Sequence, residues 1–274
     1  MTSPAPLREI TFRNLRDYIY DQTGIFVPDS KKYFLENRLS HRILEKKLSG
    51  FDEYLLFLRT SGNGELRNLY DAVTTNETYF FREPQQFDVF TDHILPLVLE
   101  RNRSRGIKVW SAACSTGEEP YTIAAILKEA APGVQAKVFG SDISDAALES
   151  ARKGVYSTYA TRIIPPRYRD KYFRSNGHGF ELDDGIRNSV KFLNVNLIDE
   201  KQVRAIRDVD VIFCRNVLIY FDDKSKRKAV SLMYDALAPD GVLLVGTSES
   251  LHSVTRALKP TVVDKVVIYQ KAGS

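Results

Sequence analysis

Glu118 and Glu119 stand side by side in Ala112-Ala-Cys-Ser-Thr-Gly-Glu-Glu-Pro120, between an apolar run and an amphipathic one. If the first is a buried strand and the second a helix, the pair lies where α/β sheets hold ligands, outside the carboxyl end of a strand. A helix N-terminus attracts phosphate. Two carboxylates there would repel a pyrophosphate and suit an ammonium group. Gly117 is the lone glycine of the turn, so the G-x-G-x-x-G fingerprint of an NAD-dependent dehydrogenase is absent. S-adenosylmethionine (SAM) carries an ammonium and a sulfonium and no phosphate, and the charge pattern favours it over NAD, FAD or ATP. A competing reading stays open. Both glutamates offset the helix dipole, and Pro120 is the favoured proline at the first helical position.

Asp142 ends a second apolar run, 25 residues after Gly117. An acid at that spacing accepts the ribose hydroxyls of a nucleoside. The alternative is a cap for the next helix, for which Ser144 is the better candidate. The two cysteines, Cys114 and Cys214, are too far apart in sequence for a zinc-ligand pair and too few for a disulfide framework. Both fall near strand ends, where a nucleophilic role is conceivable, but buried small side chains are the preferred reading. The four histidines are scattered singly, and no metal is expected.

Positioning these residues requires alternating strands and helices. Ile107–Ala112, Ala136–Ser141, Val209–Cys214 and Val242–Gly246 read as strands. Pro120–Ala130, Ser144–Arg152 and 224–237 read as helices, which argues a doubly wound α/β sheet. Phe87–Leu99 is amphipathic, and Thr261–Lys271 is expected to pair antiparallel at the sheet edge. Between 171 and 193, turn residues flanked by Phe180–Leu182 and Ser189–Phe192 predict a β-hairpin lobe. Residues 1–70 carry helical spacing, with a helix from Ser30 to Leu48 that Gly50 ends. The 274 residues suit a larger and a smaller domain. Net charge is only +4, which gives no electrostatic case for nucleic acid. Neither a membrane span nor a signal peptide is evident, so a cytoplasmic location and no membrane insertion are expected.

Three stretches occur together: Thr75-Asn-Glu-Thr-Tyr-Phe-Phe-Arg-Glu83, Ser115-Thr-Gly-Glu-Glu-Pro120 and Phe213-Cys-Arg-Asn-Val-Leu-Ile-Tyr-Phe221. In order and spacing the chain resembles the chemotaxis-receptor protein-glutamate O-methyltransferases of the CheR type. The resemblance implies a helical N-terminal domain (1–70) and a linker carrying a cofactor-contact motif (71–88). A Rossmann-like SAM-binding methyltransferase domain follows (89–274), with an inserted β-hairpin subdomain at about 171–193. It implies SAM contacts from Asn76, Thr78, Arg82, Glu118, Asp142, Asn196, Leu197, Arg215 and Asn216, and roles for Arg82 and Tyr220 close to the transferred methyl. The acceptor it implies is a glutamate on the cytoplasmic helices of a chemoreceptor, with a γ-methyl ester and S-adenosylhomocysteine (SAH) as products.

A glutamate is ionised at neutral pH and needs no general base. Such an enzyme must align the reactants and exclude water. Without the resemblance, Tyr220 reads as a core aromatic and Arg82 as the partner of Glu83 or Glu77 in a surface salt bridge. Lys31, Arg38, Arg42 and Lys46 fall within an arc of about 80° on a helix, interrupted by Leu35. That stripe would steer acidic receptor helices, or else is a solvated face. A monomer is expected. The alternatives are a methyltransferase for nucleic acid or a small molecule, whose amino- and cytosine-type motifs are missing, and a SAM-sensing module without turnover.

Overall fold

The structure is a computed structural model and describes residues 5–60, 63–102 and 105–272. The chain divides into two compact units. One runs to Thr75 and includes Tyr220–Ser225; the other comprises Asn76–Ile219 and the chain from Lys226.

The first unit is helical: α1 (Glu9–Thr23), α2 (Lys32–Glu45), α3 (Phe51–Thr60) and α4 (Asn63–Val73). Apolar residues at helical spacing form its core. Phe12, Leu15 and Ile19 of α1 pack with Leu35, Leu39 and Ile43 of α2, Tyr54 and Leu58 of α3, and Leu69 of α4. Gly24 ends α1 in the left-handed region at φ 74°, its N–H bonded to the Tyr20 carbonyl. The end of α2 departs from expectation. The helix stops at Glu45, and Lys47 takes the left-handed position at φ 57°. Gly50 instead starts the next helix, its carbonyl accepting from the Tyr54 N–H. Tyr220–Ser225 belongs here through specific bonds. Phe26 N–H donates to the Tyr220 carbonyl, Ile25 bridges Phe221, and Tyr20 Oη donates to Asp222.

The second unit is built on strands β1 (Ile107–Ala112), β2 (Ala136–Asp142), β3 (Val155–Tyr156), β4 (Phe173–Ser175), β5 (Phe180–Leu182), β6 (Val190–Asn194), β7 (Val209–Cys214), β8 (Leu237–Val245), β9 (Leu258–Val263) and β10 (Val266–Lys271). Seven form one sheet in the order β6-β2-β1-β7-β8-β10-β9. β6, β2, β1, β7 and β8 are parallel, and β10 runs antiparallel to both β8 and β9. The sheet reverses its strand order at β1, so the carboxyl ends of β1 and β7 open the crevice where ligands bind. The central strands are buried, as parallel sheets require: all six residues of β7 are buried.

Helices α5 (Pro84–Val89) and α6 (Leu95–Arg101) are joined by a wide turn of π-helix, Phe90–Ile94. Pro96, lacking an N–H, cannot continue the ordinary ladder back to Asp92. The first crossover is α7 (Glu118–Ala130), preceded by Gly117 at φ 91°. Pro120 is therefore its third residue, not the first-position proline the sequence suggested. Next comes α8 (Asp145–Lys153), capped by Ser144, whose Oγ accepts from the Ala147 N–H.

The lobe is a three-stranded sheet, β3-β5-β4. Its hairpin pairs Phe173–Ser175 with Phe180–Leu182. Ser189–Phe192, expected as the second arm, contributes instead to β6 at the edge of the large sheet. The cause lies at Asp183. Its Oδ1 accepts from the Gly185 N–H and caps a helical turn, Asp184–Arg187, that redirects the chain.

Candidate functional site

Most of the predicted cofactor residues converge at the carboxyl ends of the parallel strands. The loops there hold five non-glycine residues at positive φ: Phe81, Glu83, Ala113, Ser115 and Asn216. Strain of this kind costs of order 1–3 kcal/mol per residue and concentrates where function over-determines the backbone.

The adjacent glutamates have different environments. Glu119 accepts from Ser111 Oγ at 2.7 Å and from Arg215 Nη1 at 2.8 Å. Glu118 is buried, and the Thr116 hydroxyl donates to both its oxygens, at 2.7 and 3.0 Å. Its salt-bridge cation is missing among the described residues, and burial pushes its carboxyl up to about 7 against the Thr116 bond. A cationic ligand would supply that charge. Next to it, Ser115 Oγ is buried with no hydrogen-bond partner among the described residues. Both features fit a ligand that brings an ammonium and acceptor atoms.

Asp142 closes β2. Its Oδ2 accepts from the Ser115 N–H at 2.8 Å and its Oδ1 from the Ser144 N–H at 3.0 Å. One carboxylate thus ties the loop after β1 to the start of α8. The Asp142 carbonyl also holds Val195, just before Asn196 and Leu197. Asn196 Oδ1 accepts from the Ile198 N–H, and Leu197 is buried.

Arg215 is buried between two acids, with Glu83 at 3.1 Å and Glu119 at 2.8 Å, and lies over the Phe87 ring. Its Nε is a further buried donor with no hydrogen-bond partner among the described residues. Asn216 donates from Nδ2 to Glu83 and from its backbone N–H to Glu249. Glu249 also accepts from the Gly246 and Ile219 N–H groups. The sequence reading missed Ser115, Glu83 and Glu249 as site-building residues. Ser115 and Glu83 lie inside the quoted motifs, but nothing in a linear motif shows which partner a side chain takes.

Arg82 is half-buried and donates from Nη1 to the Glu77 carbonyl at 2.7 Å. The salt bridge weighed for it is not formed, because Glu83 is engaged elsewhere and Glu77 offers its carbonyl. Asn76 is exposed and Thr78 half-buried on the same segment. That segment is anchored to α7 by the Phe81 N–H, which donates to Thr122 Oγ1. Tyr220 is half-buried on a 3-10 turn, Leu218–Tyr220, and groups with the helical unit. Burial raises both thiols well above their usual range, which keeps Cys114 and Cys214 as inert thiols.

The basic stripe is only partly free. Arg42 makes a two-pronged bond to the buried Glu65, at 2.8 and 2.9 Å, and Lys46 lies 3.3 Å from it. Lys31 and Arg38 are exposed, with Arg38 over the Phe34 ring. No helix among the described residues is long and apolar enough to cross a membrane.

Comparison with known proteins agrees with this architecture. Residues 10–74 match the model of the CheR methyltransferase all-alpha domain, and residues 76–267 that of the CheR methyltransferase SAM binding domain. The chain is 39% identical over 254 residues to chemotaxis protein methyltransferase 2 of Vibrio cholerae, covering 91% of this chain and 88% of that protein. It is 37% identical over 264 residues to the chemotaxis protein methyltransferase of Escherichia coli, covering 93% and 90%. The corresponding protein of Borreliella burgdorferi is 37% identical over 243 residues, covering 85% and 86%. An all-α unit, an α/β unit with the buried Glu118 at its first crossover, and these matches together place the chain in the CheR methyltransferase family.

Proposed function

We propose that this protein methylates glutamate side chains on the cytoplasmic helices of a chemoreceptor, giving γ-glutamyl methyl esters and SAH, as an adaptation step in chemotaxis. The observation that carries the reading is Glu118, a buried carboxylate at the first crossover with no counter-charge among the described residues. Its relatives' names, chemotaxis protein methyltransferase, supply the pathway.

Bound SAM supplies an electrophilic methyl group on a sulfonium. Glu118 receives the ammonium and Asp142 the ribose hydroxyls, while Ser115 Oγ and Arg215 Nε offer two unused donors. Asn76, Thr78, Asn196, Leu197 and Asn216 complete the surround. The acceptor carboxylate is already ionised, so the protein's work is alignment and exclusion of water, worth about 7 kcal/mol when fully realised. Arg82, held by the Glu77 carbonyl and the Tyr79 ring, orients the acceptor carboxylate with its guanidinium, and Tyr220 acts at the transferred methyl. Lys31 and Arg38 steer acidic receptor helices, whereas Arg42 and Lys46 serve Glu65 first. No metal takes part, no nucleic acid is bound, and the protein works as a cytoplasmic monomer.

The test is methyl transfer. Purified protein is incubated with methyl-labelled SAM and the cytoplasmic fragment of a chemoreceptor. Base-labile label on receptor glutamates is the expected result. Label on RNA or metabolites instead, or SAM binding without turnover on any receptor, overturns the proposal.

A further inference from the structure

Arg82 is flanked by two residues in the left-handed region, Phe81 at φ 56° and Glu83 at φ 57°. Bulky L residues resist that conformation, so the loop needs an external constraint. Glu83 provides one. Its Oε2 accepts from Arg215 Nη2 at 3.1 Å, Gln86 Nε2 at 3.1 Å and the Thr247 N–H at 3.2 Å. Its Oε1 accepts from Asn216 Nδ2 at 3.2 Å and Thr247 Oγ1 at 3.1 Å. Arg215 Nη2 makes a second bond, 2.5 Å, to the carbonyl of Arg82 itself. One carboxylate therefore fastens the Arg82 loop to the chain after β7 and the chain after β8.

The choice of an acid follows from Arg215. That guanidinium is buried, with side-chain exposure of 2%, and its two counter-charges are Glu83 and Glu119. Burial alone would raise the Glu83 carboxyl, but Arg215 and Asn216 hold it below the usual carboxylate range, so it stays charged. A glutamine would keep acceptor capacity on one atom and lose the charge pairing.

We infer that Glu83 is a positioning residue for the methyl-transfer step: it touches no reactant and sets the backbone from which Arg82 reaches the acceptor. The inference rests on the proposed role of Arg82. Glu83 acts on kcat through Arg82; the cofactor residues it bonds, Arg215 and Asn216, keep their holds on Glu119 and Glu249, and Glu118 and Asp142 lie on other loops.

The experiment is a double-variant cycle in the full chain: wild type, Glu83→Gln, Arg82→Ala and the pair, measured for kcat, SAH affinity and thermal midpoint. Glu83→Gln is expected to lower kcat about 100-fold, the loss a displacement of ~1 Å produces, while SAH affinity stays within about threefold. The pair is expected to be no slower than Arg82→Ala alone, since residues acting as a unit are not additive. Thr247→Ala, which removes one arm of the latch, gives a milder loss of kcat and serves if Glu83→Gln does not fold. Additive losses, unchanged kcat in both latch variants, or SAH affinity lost in step with kcat would overturn the inference. If Arg82→Ala keeps full kcat, the role of Arg82 falls and the latch falls with it. An inactive Arg82→Ala beside active latch variants removes the latch alone.

Discussion

Arg215 Nη1 lies 2.8 Å from Glu119 Oε2, and that contact separates two adjacent glutamates into an ion-paired acid and one with no salt-bridge cation among the described residues. Glu119 is neutralised within the protein. Glu118 is left buried with one hydroxyl for company.

Glu118→Gln should therefore move stability and affinity in opposite directions. The folded-state carboxyl titrates near 7, above its ordinary 4.5, so the folded state holds the proton more tightly. Its penalty is absent below about pH 4.5, grows as pH rises, and is complete above 7, at about 3 kcal/mol. At pH 8 the glutamine variant should unfold at a higher denaturant concentration than wild type, and at pH 4 at the same one. SAH affinity should drop at least tenfold, because the ammonium loses its counter-charge. Equal stability at pH 8 would refute the buried-charge account.

Cofactor binding should be proton-linked. A bound ammonium favours the ionised Glu118, so binding below pH 7 expels a proton. SAH affinity is expected to be flat above pH 7.5 and to weaken as pH falls, by at most tenfold per unit. Calorimetry at pH 6.5 in buffers of different ionisation enthalpy would read the proton release directly. No release would mean that another group neutralises the ligand.

Asp142→Ala should loosen two loops at once, since its oxygens accept from the Ser115 and Ser144 N–H groups. We expect about 2 kcal/mol of lost stability from the freed donors and a larger loss of SAH binding. Asp142→Asn, which keeps one acceptor oxygen, should recover part of the stability and less of the binding. Denaturation and calorimetric titration of both variants make the comparison.

In the helical unit, Glu65 is the residue to remove. Its side chain is almost inaccessible and accepts from Arg42 and Tyr54, with Lys46 alongside. Glu65→Ala leaves the part-buried Arg42 guanidinium with Glu45 as its remaining counter-charge and takes the acceptor from the buried Tyr54 hydroxyl, and should cost about 2–3 kcal/mol, read from chemical denaturation. If Arg42 and Lys46 serve only receptor docking, stability will not change.

The sequence carried the parallel sheet well because each central strand is a short apolar run with clear boundaries; Ile107–Ala112 and Val209–Cys214 were delimited to the residue. Ser144 was legible as a cap because capping is local. The errors fall where a residue's fate depends on distant partners. Ser189–Phe192 has the alternation of a hairpin arm, and only the turn capped by Asp183 sends it to the large sheet. Arg42 reads as a surface cation until Glu65, 23 residues on, is folded beneath it. The pairing of Glu83 with Arg215 spans 132 residues, and no periodicity announces it.

The helical unit is completed by Tyr220–Ser225, which the chain delivers long after Thr75. During synthesis, α1 to α4 emerge first and can collapse on their own apolar faces. The Phe26 N–H and the Tyr20 hydroxyl must wait for their partners until Asn76–Ile219, the greater part of the second unit, has left the ribosome. Maturation of the first unit is thus timed by translation of the second. A domain exchanged between relatives at the Thr75 boundary would carry only part of its own structure.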